Sequence, residues 1–211
     1  MAIDSGGLRE SKKQETRQLI SDHATRLFVE RGFEATTIAD IAAAARVAKK
    51  TVTNYYARKE DMALDRHEEF VAGLARTVRE RGPGESALAA LRRDFLAGVE
   101  RRDPVIGFSG PVFARMIADS PTLLARLRDL HDQRERALEG VLAAETGADT
   151  GDLVPRAAAV QLGGAHRVLF QCVLDMTLSG LDNDRIAAEA ADAGRAVFGM
   201  LEGALGEYAV R

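Results

Sequence analysis

The fold of this 211-residue chain turns on FEATTIADIAAAARVAKKTVTNYYARKED, residues 33–61. Thr37 with Asp40 three residues on reads as a capping box, in which hydroxyl and carboxylate satisfy each other's backbone amides at a helix start. Ile38, Ile41, Ala42 and Ala45 then recur at helical spacing as an apolar stripe. A short break at Ala45-Arg46-Val47 leads into a second helix, Ala48–Tyr55, with Val52 and Tyr56 facing inward. Two short helices separated by a tight break, the first alanine-rich so that the second packs close, form the helix-turn-helix pattern. The second helix carries Lys49, Lys50, Thr51, Thr53, Asn54 and Tyr55. These supply cations for phosphates, short hydroxyls, an amide able to pair with adenine and a phenol, the equipment of a helix laid in the major groove.

Upstream, Leu19, Ile20, His23, Ala24, Leu27 and Phe28 keep helical spacing and Gly32 follows as a stop, predicting a first helix over 10–31. His23 reads as a core histidine of that helix. Downstream, Arg58-Lys59-Glu60 opens a long helix to about Arg81, ended by the linker Gly82-Pro83-Gly84. Further helices are expected near 85–102, 105–118, 121–146, 153–179 and 183–208. Their boundaries are Asp103-Pro104, Ser120-Pro121, Gly147–Gly151 and Ser179–Asp184. No stretch alternates as a half-buried strand requires, so the expected fold class is all-α.

The net charge of −3 argues against a nucleic-acid binder until its distribution is considered. Residues 1–59 hold eleven Lys and Arg against seven Asp and Glu, whereas residues 60–211 hold eighteen against twenty-five. All five lysines (Lys12, Lys13, Lys49, Lys50, Lys59) fall in the first segment, as they would if it alone met a polyanion. Residues 1–18 are polar and lack the apolar core of a signal peptide. No run of 18 apolar residues exists to span a membrane, and the lone Cys172 excludes an internal disulfide. The expected location is the cytoplasm.

Gly32-Phe33, Thr36-Thr37, Ile41-Ala42, Val47, Thr51-Val52, Tyr55-Tyr56 and Lys59-Glu60-Asp61, with Ala24, Leu27 and Phe28 upstream, together resemble the DNA-binding domain of the TetR family over residues 16–62. The resemblance implies three small helices for DNA, residues 1–58, and a helical effector-binding and dimerisation domain, residues 59–211, that pairs through its last two helices. It implies that Thr37 caps the second helix and contacts a phosphate. Lys49, Lys50, Asn54 and Tyr55 would face the groove, and Lys59 would hold a backbone phosphate. Three positions depart from the pattern. Arg46 stands where the turn usually has glycine, so it is strained or reaches DNA. Ala48 replaces the usual serine cap, worth about 1 kcal/mol. Thr53 replaces a frequent tyrosine.

Beyond residue 62 the resemblance is architectural only. Residues 153–178 are apolar nearly all round, with Val160, Leu162, Val168, Leu169, Phe170, Val173, Leu174, Met176 and Leu178. The final helix adds Ile186, Val197, Phe198, Met200, Leu201 and Leu205, with Gly194, Gly199 and Gly203 permitting close approach. These two helices are expected to build a homodimer that grips a palindromic double-stranded operator. A pocket for a small, largely apolar effector is expected among Phe95, Phe108, Phe113, Met116, Leu127, Leu130 and Phe170, with His131, Arg134, His166 and Gln171 as polar anchors. The four histidines lack metal spacing, and no nucleophile elbow, P-loop or G-x-G-x-x-G is present, so neither metal, cofactor nor enzyme activity is expected. An effector-released repressor is the leading reading. A ligand-independent architectural DNA-binding protein is the alternative, disfavoured by the sizeable acidic helical part.

Overall fold

A computed structural model describes residues 5–211; the first four residues of the polar opening stretch lie outside it. All the regular structure described is helical. The elements are α1 (Ser5–Arg31), α2 (Ile38–Ala44), α3 (Lys49–Tyr55), α4 (Glu60–Ala63), α5 (His67–Glu80), α6 (Ala87–Arg101), a 3-10 turn (Pro104–Ile106), α7 (Gly110–Ala118), α8 (Pro121–Thr146), α9 (Val154–Leu178) and α10 (Asn183–Leu205). They form two compact units. The first is the chain up to Asp65 together with Met116–Leu124; the second is Arg66–Arg115 with Ala125–Arg211.

In the first unit, Ile20, Ala24, Leu27 and Phe28 of α1 are buried, as are Phe33, Ile41, Val52 and Tyr56, with the Phe28 and Phe33 ring centres 4.9 Å apart. Leu19, expected in that stripe, is exposed, and His23 is only half-buried, its ring beside Arg26. Gly32 ends α1 at φ +84°, its N–H donating to Phe28 O at 2.9 Å. Thr36 seals that end by donating its hydroxyl to Gly32 O at 2.9 Å. Residues 116–124 join this unit through Glu34, whose carboxylate accepts from Ser120 Oγ at 2.5 Å and Thr122 Oγ1 at 3.2 Å. Those two hydroxyls hold the Glu34 carboxyl below its ordinary range. The unit is therefore discontinuous in sequence, which a single division at 58/59 does not describe.

The helix expected from residue 58 to about Arg81 is two helices. It breaks at Leu64-Asp65-Arg66, where Leu64 leaves helical geometry (φ −107°, ψ 55°). No glycine or proline marks this place. Leu64 is buried and Arg66 pairs with Glu69 and Asp103, so packing overrides local propensity. The linker Gly82-Pro83-Gly84 joins α5 to α6. It lies inside the second unit, and the Gly84 N–H donates to Arg211 O at 2.8 Å.

The second unit closes on one core: Leu74 and Val78 of α5, Leu88, Leu91 and Phe95 of α6, Leu138 and Leu142 of α8, Leu162, Leu169 and Val173 of α9, and Ile186 and Phe198 of α10. Burying each such side chain contributes about 1.5–3 kcal/mol before entropy. Ile186, Phe198 and Leu205 therefore fill this chain's own core rather than the dimer surface expected of them from sequence. Gly194 serves the same interior: a Cβ there would lie 2.6 Å from the Phe95 ring, so only glycine seats that ring. Among the described residues no helix is long and apolar enough to cross a membrane.

Candidate functional site

The reader is built on α2 and α3. Thr37 caps α2: its Oγ1 accepts from Asp40 N at 3.2 Å, while Asp40 Oδ2 accepts from Thr37 N at 2.9 Å. The Thr37 hydroxyl, donating to Asp40 Oδ2 at 2.5 Å, and then the Thr37 N–H hold the Asp40 carboxyl below its usual range. After Ala45 the chain reverses through Arg46 at φ +55°, the left-handed conformation that glycine adopts freely. Holding arginine there costs about 1–2 kcal/mol. α3 then starts at Ala48 without a side-chain cap.

Val52 anchors α3, fully buried, and Tyr56 follows it inward with its hydroxyl donating to Arg17 O at 3.1 Å. That anchoring turns the opposite face outward. Lys50, Thr53 and Asn54 share it at i, i+3, i+4 spacing, and all three are exposed, as are Arg46 and Lys49. Thr51 and Tyr55 are half-buried at its edges. Thr53 donates its hydroxyl back to Lys50 O at 3.1 Å, leaving its oxygen as an outward acceptor.

Lys59 behaves differently from Lys49 and Lys50. Its Nζ donates to Phe33 O at 2.8 Å and Thr36 O at 2.9 Å and stands 4.1 Å from the centre of the Phe33 ring. Two of its three N–H groups thus tie the α1–α2 connection to the start of α4. At most one is left for the expected phosphate.

The expected pocket residues do not form one group. Met116 belongs to the first unit and the others to the second. Phe113 is half-buried, and Phe108 packs partly buried on the core. Leu127 and Leu130 are buried on α8. His131, Phe170, Phe95 and His166 are brought into two aromatic clusters, each completed by a ring outside the expected pocket set. Phe70 meets His131 and Phe170 with centroids 5.0 and 5.9 Å away. Phe198 meets Phe95 and His166 at 5.9 and 5.2 Å. Phe70 is detectable by its i, i+4, i+8 spacing with Leu74 and Val78. Nothing in the sequence separates Phe198 from the exposed positions of its helix.

The three polar groups here, His131, Arg134 and His166, are all buried. Burial first, then the positive charges of Arg134 and Arg167, pushes His131 down to about 3. Burial, then Arg134 and His131, pushes His166 well below its ordinary value. Both imidazoles are neutral, and Arg134 is lowered by burial to about 10. Gln171, expected as an anchor, is exposed and donates to Asp175 Oδ1 at 2.8 Å.

A capped helix, a tight turn and a second helix with an outward face of lysines, hydroxyls and an amide, among described residues whose regular structure is all helical, define a helix-turn-helix DNA-binding protein. The model of the bacterial regulatory proteins of the tetR family matches residues 20–65. The HTH-type transcriptional regulator TcmR of Streptomyces glaucescens is 30% identical over 151 residues, 69% of this chain and 67% of that one. Among solved structures, Salmonella enterica GusR superposes with a TM-score of 0.54 at 20% identity, covering 91% of this chain and 96% of GusR. The SmeT–triclosan complex gives 0.53 at 19% identity over 86% and 90%. NalD of Pseudomonas aeruginosa gives 0.52 at 18% over 89% and 97%. This chain belongs to the TetR family of transcriptional regulators.

Proposed function

We propose that this regulator is a homodimeric repressor that a small, largely apolar molecule releases from a palindromic operator. The observation that carries the sensor half is the pair of aromatic clusters with buried polar groups inside the second unit. A domain that only completed a DNA-binding architecture would have no use for buried, unpaired polar atoms. The same fold forms a complex with triclosan in SmeT, and NalD is the secondary repressor of an efflux pump.

Dimerisation falls to the outward faces of α9 and α10. Ala196, Gly199, Met200 and Gly203 lie at i, i+3, i+4, i+7 spacing and are all exposed, Met200 by 84%. Val160 and Val168 on α9 are exposed by 51% and 61%. An apolar stripe edged by small residues is what a close helix–helix interface needs, and it costs solubility if left bare. In the reader, Lys49, Lys50, Arg46 and Thr37 hold phosphates, while Asn54, Thr53, Thr51 and Tyr55 meet base edges.

Coupling does not run along one long helix from Lys59, because that helix is broken at 64–66. α8 is the better carrier. It gives its first turn to the first unit and places His131 and Arg134 in the second. Linkage supplies the test: the effector must weaken operator affinity by the factor by which operator weakens effector affinity. Compounds found by thermal shift are titrated with and without DNA from upstream of the protein's own gene. Equal affinity for free and DNA-bound protein, for every compound, rejects the sensor reading in favour of the architectural one.

A further inference from the structure

The second unit buries a guanidinium that no carboxylate pairs with directly. Arg134 is 5% exposed, its Nε has no hydrogen-bond partner, and it forms no ion pair or hydrogen bond with any described residue. Its guanidinium stacks over the face of Phe70, 4.5 Å from ring centre to Cζ. Asp94 attracts it without a direct bond, its carboxylate accepting the Thr77 hydroxyl at 3.1 Å. Nearby His166 Nε2 is also buried with no partner. An unpaired buried cation is among the most costly features a core can carry, and ordinary packing does not leave one. The same unit shows that it can satisfy a buried arginine fully, as it does at Arg81.

We infer that the effector is a monoanion, a carboxylate on a largely apolar body, held side-on by the Arg134 guanidinium and flanked by His131 and His166. This rests on the sensor reading above and names its ligand class. The planar fork of Nε and Nη fits a carboxylate bidentately. One guanidinium beside two neutral imidazoles balances one negative charge and would leave a phosphate dianion half-compensated. His131 and Arg134 are three apart on α8, and His166 and Phe170 four apart on α9, so each pair shares a helix face. Phe70, Phe170 and Phe95 offer the apolar body its walls.

The test uses decanoate, cinnamate and 2-naphthoate, each beside its methyl ester, with full-length wild type, Arg134→Met and Arg134→Lys. At least one acid should raise the wild-type melting temperature while its ester does not. Its Kd should weaken about 30- to 100-fold in Arg134→Met, as the removal of one charged bidentate pairing requires, and recover in part in Arg134→Lys. Without ligand, Arg134→Met should melt about 2–4 °C above wild type, because an unpaired buried charge is gone. Esters binding as tightly as acids, acids binding Arg134→Met as they bind wild type, no acid binding at all, or Arg134→Met melting below wild type would each overturn the inference. Operator titration separates this failure from that of the sensor reading. Esters that bind and release operator leave a sensor without an acidic ligand. Acids that bind through Arg134 without changing operator affinity leave the site standing and remove the sensor.

Discussion

Arg81 and Arg134 are both buried in the second unit, at 2% and 5% exposure, and their surroundings could hardly differ more. Arg81 pairs with Glu145 and Val78 O, donates from Nε to Glu85 O at 3.0 Å, and donates from Nη2 to Ala209 O at 2.8 Å. It ties α5, the connection to α6, α8 and the C-terminal residues into one corner. Arg134 touches a ring face and leaves its Nε bare. The first guanidinium completes the fold; the second has no such partner among the described residues. The reader repeats the contrast, with Lys59 occupied internally and Lys49 and Lys50 exposed. A polar group's role follows from whether the fold has already satisfied it.

The comparison breaks first at Arg81. Arg81→Met strips Glu145 and three carbonyls of their donor and should cost about 3 kcal/mol, the lower end for a buried pair because Glu145 is 27% exposed. Denaturant unfolding measures it. A loss below about 1 kcal/mol would mean that the corner is not held by this guanidinium.

The next effect comes from pH. His131 is held neutral, with a pKa of about 3 against 6.5 when unfolded. A lowered histidine pKa gives stability that is present above pH 6.5 and is lost as pH falls from there towards 3. At pH 5 the loss should reach about 2 kcal/mol. His131→Phe should flatten the slope by about 1.4 kcal/mol per unit below pH 6.5. An unchanged slope would show that the imidazole is charged or hydrated in the folded protein.

A smaller effect sharpens the comparison at the turn. Arg46→Gly relieves the left-handed backbone and should stabilise the first unit by about 1 kcal/mol, while weakening operator binding if the cation holds a phosphate. Higher stability at unchanged affinity would leave Arg46 without a role at DNA.

Much of this was legible from sequence. The T-x-x-D box, the Gly32 stop and the inward Val52 and Tyr56 carry their own local physics, and each has the expected geometry. The break at Leu64-Asp65-Arg66 was not legible, because those residues continue a helical pattern and only the burial of Leu64 and the pairing of Arg66 with Asp103 interrupt it. α10 is apolar on two faces, so sequence could not assign Phe198 to the core and Met200 to the surface. Nor could it distinguish Arg134 from the other charges of α8, since helical spacing says which residues share a face and not which face has a neighbour.

The central claim, that unsatisfied cations meet the partner and satisfied ones build the fold, is tested most directly by salt. Binding of DNA from upstream of the protein's own gene is followed across salt concentration for wild type, Lys50→Ala and Lys59→Met, with melting temperatures alongside. Lys50→Ala should flatten the log–log salt slope by about 0.9 for each phosphate that the lysine no longer neutralises, and leave the melting temperature unchanged. Lys59→Met should keep the slope and lower stability by about 1–2 kcal/mol. A flattened slope with unchanged melting for Lys59→Met, beside an unaltered slope for Lys50→Ala, would contradict the account.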